Sequence, residues 1–284
     1  MANDSKLYVP FSQRTGIDPI PPQLKLGEIS IDLRRLLYLA LYREIRRASR
    51  RGNSGPYFND EWYELALDLH VRLFRQGAEK FSRRCFETEE AIRGIIYKQS
   101  IGPVFNLVEF IIRHHHCGSS AIRAVADAFV ESRSAYRVID KQIAGIGTEE
   151  QAAAFQRAVA EAEAKNASGA RKHLIEGGVA LRNGDWAGSV RESIHAVEAI
   201  AVRLAPGTDT LGDALKVIDK QGHLHGGLKA AFGSLYGYAS DEKGVRHAKV
   251  FDQAEAQVDE ADALFMLGAC ASFVSYLLAR GGAA

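Results

Sequence analysis

The residues best suited to chemistry lie in the segment Leu235-Tyr-Gly-Tyr-Ala-Ser-Asp-Glu-Lys-Gly-Val-Arg-His-Ala248, close before the end of the chain. Arg246 sets a fixed cation beside His247, the side chain type that titrates near neutral pH, and the two could face a phosphodiester together. The plainer reading makes Arg246 a helix cap and His247 a half-buried packing residue. A second polar group sits upstream, where Arg191, His195 and Glu198 fall at i, i+4 and i+7 of a helix expected over 186–204. That spacing gives one polar stripe. A carboxylate one turn from an imidazole can fix its tautomer and raise its basicity, as a general acid or base requires. A surface ion-pair ladder has the same spacing.

Arg43, Arg46, Arg47, Arg50 and Arg51 stand at i, i+3, i+4, i+7 and i+8, which predicts five guanidinium groups on one helical face with Glu44 nearby. Guanidinium forks match phosphate oxygens, so the stripe could follow a nucleic-acid backbone. It could equally be a solvated face or a dock for an acidic surface. His114-His-His-Cys117 looks like metal chemistry, yet consecutive helical residues point in different directions. Their place after Phe110-Ile-Ile-Arg113 says helix C-terminus, where imidazolium offsets the macrodipole. His223 and His225 lie in a glycine-rich turn without acidic or cysteine partners at ligand spacing. No metal and no cofactor is expected, and no Walker loop, nucleotide fingerprint, nucleophile elbow or helical metalloprotease pair occurs.

The elements that must position these residues read as helices. Seven prolines, long 3.6-residue periodicity and few alternating runs predict an all-α protein, and 284 residues with 46% apolar content suffice for two domains. The first long helix should start after Ser30 as N-cap and run to about Arg51, stopping at Gly52-Asn-Ser-Gly-Pro56. Further helices are expected at about 59–76, 87–99, 103–116 and 119–143. Gly145-Ile-Gly-Thr148 reads as a linker, with Thr148 capping a helix that continues towards Arg182. Asp185 caps the helix 186–204, which should bury Trp186, Val190, Ile194, Val197, Ala201 and Leu204. Helices near 210–219, 227–238 and 257–278 complete the chain.

Residues 1–147 carry 22 Lys and Arg against 17 Asp and Glu, whereas 148–284 carry 14 against 18. Such unlike halves suit two domains, 1–147 and 148–284, with the basic one meeting a polyanion or its acidic neighbour. Three scattered cysteines argue against a disulfide framework and for a reducing cytoplasm. No leader of the secretory type opens the sequence, and the apolar run Ala263–Ala279 reads as a buried core helix, short of a membrane span.

Pro10-Phe-Ser-Gln-Arg-Thr-Gly-Ile17, with Ile29-Ser-Ile-Asp-Leu-Arg-Arg-Leu-Leu37 behind it, resembles the N-terminal domains of AbiJ-type abortive-infection proteins of bacterial phage defence. Ala170-Arg-Lys-His-Leu-Ile-Glu-Gly-Gly178, Asp185-Trp-Ala-Gly-Ser-Val-Arg-Glu-Ser-Ile-His-Ala-Val-Glu198 and Gly244-Val-Arg-His-Ala248 look like a HEPN-type helical bundle. The resemblance implies a homodimer of helical bundles and a metal-independent endoribonuclease, with RNA, transfer RNA among the classes, as substrate. A partner protein of the defence system is a further expected contact. His247 maps onto the family histidine and Arg246 serves as the phosphate-stabilising cation, supported by Arg191, His195 and Glu198. The usual motif, an Arg and a His with four to six residues between them, does not occur here. The alternatives are a non-catalytic module that binds nucleic acid or protein through the arginine stripe, and a structural dimeric regulator.

Overall fold

The computed structural model describes residues 10–52, 55–222, 224–241 and 258–281. Mainly helical, the chain forms two compact units, Met1–Ile143 and Ala144–Ala284.

In the first unit the short α1 (Phe11–Arg14) precedes α2 (Ile31–Ala48). The Ser30 hydroxyl accepts the Leu33 N–H, the N-cap expected from sequence. Helix α2 ends at Ala48, earlier than its arginine pattern suggests. The next residues form a hairpin instead, β1 (Ser49–Gly52) antiparallel to β2 (Gly55–Phe58), with Arg50 opposite Tyr57 and Arg51 opposite Pro56. A Cβ at Gly52 would come within 2.9 Å of the Tyr57 ring, which explains the glycine there. Asn59 caps α3 (Asp60–Asp68), which runs on as a π-helical turn over Leu69–Leu73. Helices α4 (Cys85–Lys98), α5 (Ile101–Arg113) and α6 (Ser119–Glu131) follow. The core joins Leu37, Leu41 and Ile45 of α2 to Trp62, Ile96, Val108 and Phe129.

The helix expected to reach position 143 stops at Glu131. Arg133 turns back with a φ of 52°, and a second hairpin follows, β3 (Tyr136–Ile139) and β4 (Gln142–Gly145). Its turn residues Asp140 and Lys141 both have positive φ, the backbone that two-residue hairpins need, built here without glycine.

In the second unit Thr148 and Gln151 form a capping box for α7 (Glu149–Ala164). The single helix expected up to Arg182 is broken at Asn166, whose φ is 54°, and restarts as α8 (Ser168–Arg182). The Asp185 carboxylate accepts the Gly188 N–H at 2.8 Å and starts α9 (Trp186–Leu204). Val190, Ile194, Val197 and Ala201 are buried as expected, while Trp186 and Leu204 are half-buried. Then come α10 (Leu211–Lys220), α11 (Gly226–Asp241) and α12 (Glu260–Arg280), the last opened by an Asp259–Asp262 capping box.

Helix α9 packs against α8, α10, α11 and α12, and α12 also packs against α7 and α8. With 21 residues, α12 is long and apolar enough by length and composition to cross a membrane, longer than the run Ala263–Ala279 suggests. Half of its apolar window is buried, with Met266, Leu267, Cys270, Val274 and Leu277 nearly inaccessible.

Candidate functional site on the α8–α9 hairpin

Helices α8 and α9 are joined by the tight turn Asn183-Gly184-Asp185, in which Gly184 adopts a φ of 75°. They approach closely because the facing residues are small. A Cβ at Gly177 would meet Ser193 Oγ at 3.4 Å and the Ser189 carbonyl at 3.5 Å. Ser193 is fully buried and donates its own hydroxyl to the Ser189 carbonyl at 2.7 Å. In an antiparallel pair, residues equally far from the turn stand abreast, and Gly184 is midway between His173 and His195.

The two imidazoles do meet. Their ring centroids are 5.3 Å apart in an edge-to-face arrangement. His173 Nδ1 lies 2.8 Å from Glu192 Oε2, and Glu176 Oε2 stands 3.8 Å from the same nitrogen. The other Glu192 oxygen is 3.7 Å from Arg191 Nε. One ligand-type atom from each of His173, Glu192 and His195 lies within 4.8 Å of the others, and all three residues are half-buried. The cluster is thus partly screened from bulk water. Two imidazoles and a guanidinium can exchange protons and hold an anion; two imidazoles and a carboxylate can also hold a transition metal.

The polar stripe of α9 divides between two neighbours. His195 turns to α8, whereas Glu198 Oε1 accepts the Leu211 N–H at 3.0 Å and so satisfies one of the backbone donors that have no partner within α10. His173, Glu192 and Glu176 had no place in the sequence-derived site. The symmetric placement of two histidines about a glycine turn was the signal that could have found them. Arg246 and His247 lie outside the described residues, as does His223. His225 lines an open cleft of about 400 Å³ with Asp219, Tyr276 and Arg280, and its Nδ1 accepts the Gly227 N–H.

In the first unit the arginine stripe is not one helical face. Arg43, Arg46 and Arg47 are on α2, and Arg50 and Arg51 are on β1, because the chain leaves the helix at Ala48 to pair with β2. Arg46 pairs with Glu89 at 3.2 Å and lies over the Tyr42 ring. Arg47 makes a two-pronged contact with Glu44, at 2.9 Å and 2.7 Å. Glu44 is only 2% exposed and also accepts Trp62 Nε1–H and the Gly118 N–H. Burial pushes its carboxyl up, but the hydrogen bonds from Arg47, Gly118 and Trp62 outweigh burial and hold it below the usual carboxylate range. Arg43, Arg50 and Arg51 are exposed.

His114, His115 and His116 do sit at the end of α5, yet their rings gather, with centroids 4.0 to 5.4 Å apart. His114 lies 3.6 Å from Asp68. Burial first, and then the two neighbouring imidazoles, lower its basicity against the opposing pull of Asp68. Cys85, Cys117 and Cys270 are free and buried, and burial pushes their thiols up to about 11, 12 and 12, which leaves them unreactive.

A family model described as AbiJ N-terminal domain 4 matches residues 10–161. The match spans the whole first unit as described and continues through most of α7. No match was found among curated proteins or among solved structures.

Proposed function

This chain belongs to the AbiJ N-terminal domain 4 family and is an abortive-infection protein of phage defence; from that premise we propose that its second unit is a HEPN-like, metal-independent endoribonuclease acting as a homodimer in the cytoplasm. The observation that supports this reading is the meeting of His173 with Glu192 and His195 beside Arg191. Cleavage of RNA by its own 2′-hydroxyl needs two proton movements and charge neutralisation. One imidazole accepts the 2′-O–H proton as that oxygen bonds to phosphorus. A protonated imidazole then gives its proton to the departing 5′-oxygen, leaving a 2′,3′-cyclic phosphate and a 5′-hydroxyl. A guanidinium stabilises the extra negative charge on the phosphoryl oxygens.

Glu192 orients His173 for such work, and Arg191 is the adjacent cation. His247 and Arg246 enter the same reading through the sequence, as the proton-transfer group and phosphate cation of the HEPN resemblance. Glu198 has a positioning role, since it holds the start of α10 against α9.

The test is incubation of the purified full chain with total RNA and transfer RNA in the presence of chelator. Cleavage with cyclic-phosphate ends is expected, and His195→Ala, His173→Ala and His247→Ala should each lower its rate by about 10²–10⁴-fold. Full activity in both His173→Ala and His195→Ala would remove the α8–α9 cluster from the mechanism. Absence of cleavage by the unmodified protein on every RNA, with binding retained, would instead favour a non-catalytic RNA-binding module.

A further inference from the structure

We propose that His173, Glu192 and His195 form a binding site for one divalent transition-metal ion of the zinc class. The donor set decides the class: two imidazoles and a carboxylate match zinc, cobalt or nickel, whereas magnesium and calcium take oxygen ligands. One ligand atom of each residue already lies within 4.8 Å of the others. Side-chain rotation alone must close the remaining gap to the roughly 2.0–2.2 Å metal–ligand distances of such sites.

The scaffold favours this closure. Glu192 and His195 are at i and i+3 on α9, so both project from one side of a single rigid element. His173 comes from α8, which Gly177 allows to lie close against Ser189 and Ser193. The ligand backbones are therefore fixed by packing, as a metal site requires. Arg191 lies near one Glu192 oxygen, and the other, 2.8 Å from His173 Nδ1, exchanges that contact for the ion when the side chains rotate. Glu176, 3.8 Å from His173 Nδ1, or a water supplies the fourth side. Among the described residues the three consecutive histidines of the first unit form no such cluster, although His114 lies 3.6 Å from Asp68.

Metal binding stands on this geometry alone. Its consequence for RNA cleavage rests on the ribonuclease reading: a nitrogen lone pair bound to the ion cannot accept a proton, so zinc acts as an inhibitor.

The experiment uses the full chain, stripped by chelator and titrated with Co²⁺ and then Zn²⁺. One Co²⁺ per chain is expected, with the visible absorption bands of a low-coordinate site, displaced by Zn²⁺. His173→Ala, His195→Ala and Glu192→Gln should each weaken binding by at least about tenfold, and a His114, His115, His116 triple alanine variant should bind as the parent does. Circular dichroism checks each fold, and Glu192→Gln, nearly isosteric, carries the test if a histidine variant does not fold. Unchanged affinity in the cluster variants, or affinity lost in the triple variant, overturns the site. RNA cleavage in chelator is read separately. Failure to bind metal leaves cleavage untouched and removes only this inference, whereas metal binding without any cleavage removes only the ribonuclease reading.

Discussion

Each unit places a glutamate among cations, and the two differ in what can reach them. Glu44 is sealed: it is 2% exposed, and Arg47, Trp62 and the Gly118 backbone fill its hydrogen-bonding capacity. A carboxylate so enclosed ties α2 to α3 and to the start of α6, and nothing can reach it. Glu192 is half-buried, shares its oxygens between His173 and Arg191, and has a second imidazole alongside. The contrast teaches that burial of a charged group by itself says little about chemistry. What separates a structural polar centre from a working one is whether a proton or a ligand can still reach it.

The sharpest way to break this comparison is Glu44→Ala. It strands the Trp62 and Gly118 N–H groups and the Arg47 charge around a cavity. A loss of about 2–4 kcal/mol is expected, short of the upper range for broken buried pairs because Arg47 is half exposed. Denaturant unfolding measures it. The pH dependence has a definite sign. The folded-state pKa of Glu44 is lowered from its ordinary 4.5, so its stabilisation is complete above 4.5 and is lost as pH falls through the folded value. Glu44→Ala should remove that acid-side slope. A change below about 0.5 kcal/mol, of the size typical for surface substitutions, would mean that the centre is not structural.

Much of the frame around both centres was legible because it is local. Ser30, Thr148 and Asp185 act as the N-caps their sequence context indicates, since a cap needs only its own next three residues. The misread places are those where the backbone enters the left-handed region without a glycine to mark it. Arg133, Asp140 with Lys141, and Asn166 each end or reverse a segment that periodicity carried onward as helix. The arginine stripe failed for a related reason. Arg50 and Arg51 continue the helical spacing, but pairing with Tyr57 and Pro56 claims their backbone for a strand. The site itself was half legible: i, i+4 spacing drew attention to Arg191 and His195, while His173 required knowing that α8 folds back along α9. Glu198 had the expected helical spacing, and its carboxylate accepts the Leu211 N–H at the head of α10.

A smaller effect sharpens the comparison from the other side. Glu192→Gln keeps the shape of the side chain and removes its charge at a site that solvent reaches. Stability should change by no more than about 1 kcal/mol, as for partly exposed ion pairs. RNA cleavage and Co²⁺ affinity should fall far more than stability does. A thermal unfolding shift comparable to that of Glu44→Ala would make Glu192 a second structural keystone and dissolve the contrast.

The smallest expected effect lies at His114, the sealed counterpart of His173. Its side chain is 9% exposed and the groups facing it are His115, His116 and Asp68. Burial and the neighbouring imidazoles disfavour its charged form more than Asp68 favours it, so its folded-state pKa lies below the ordinary 6.5. Between the two values the unfolded chain binds the proton more readily. His114 therefore contributes stability that is fully present above 6.5 and is lost as pH falls through the folded value. Urea unfolding of His114→Asn beside the parent, at neutral pH and at successively lower pH, should show the difference between the two narrowing as acid is added. A difference that widens with acid would mean that Asp68, and not burial, governs His114.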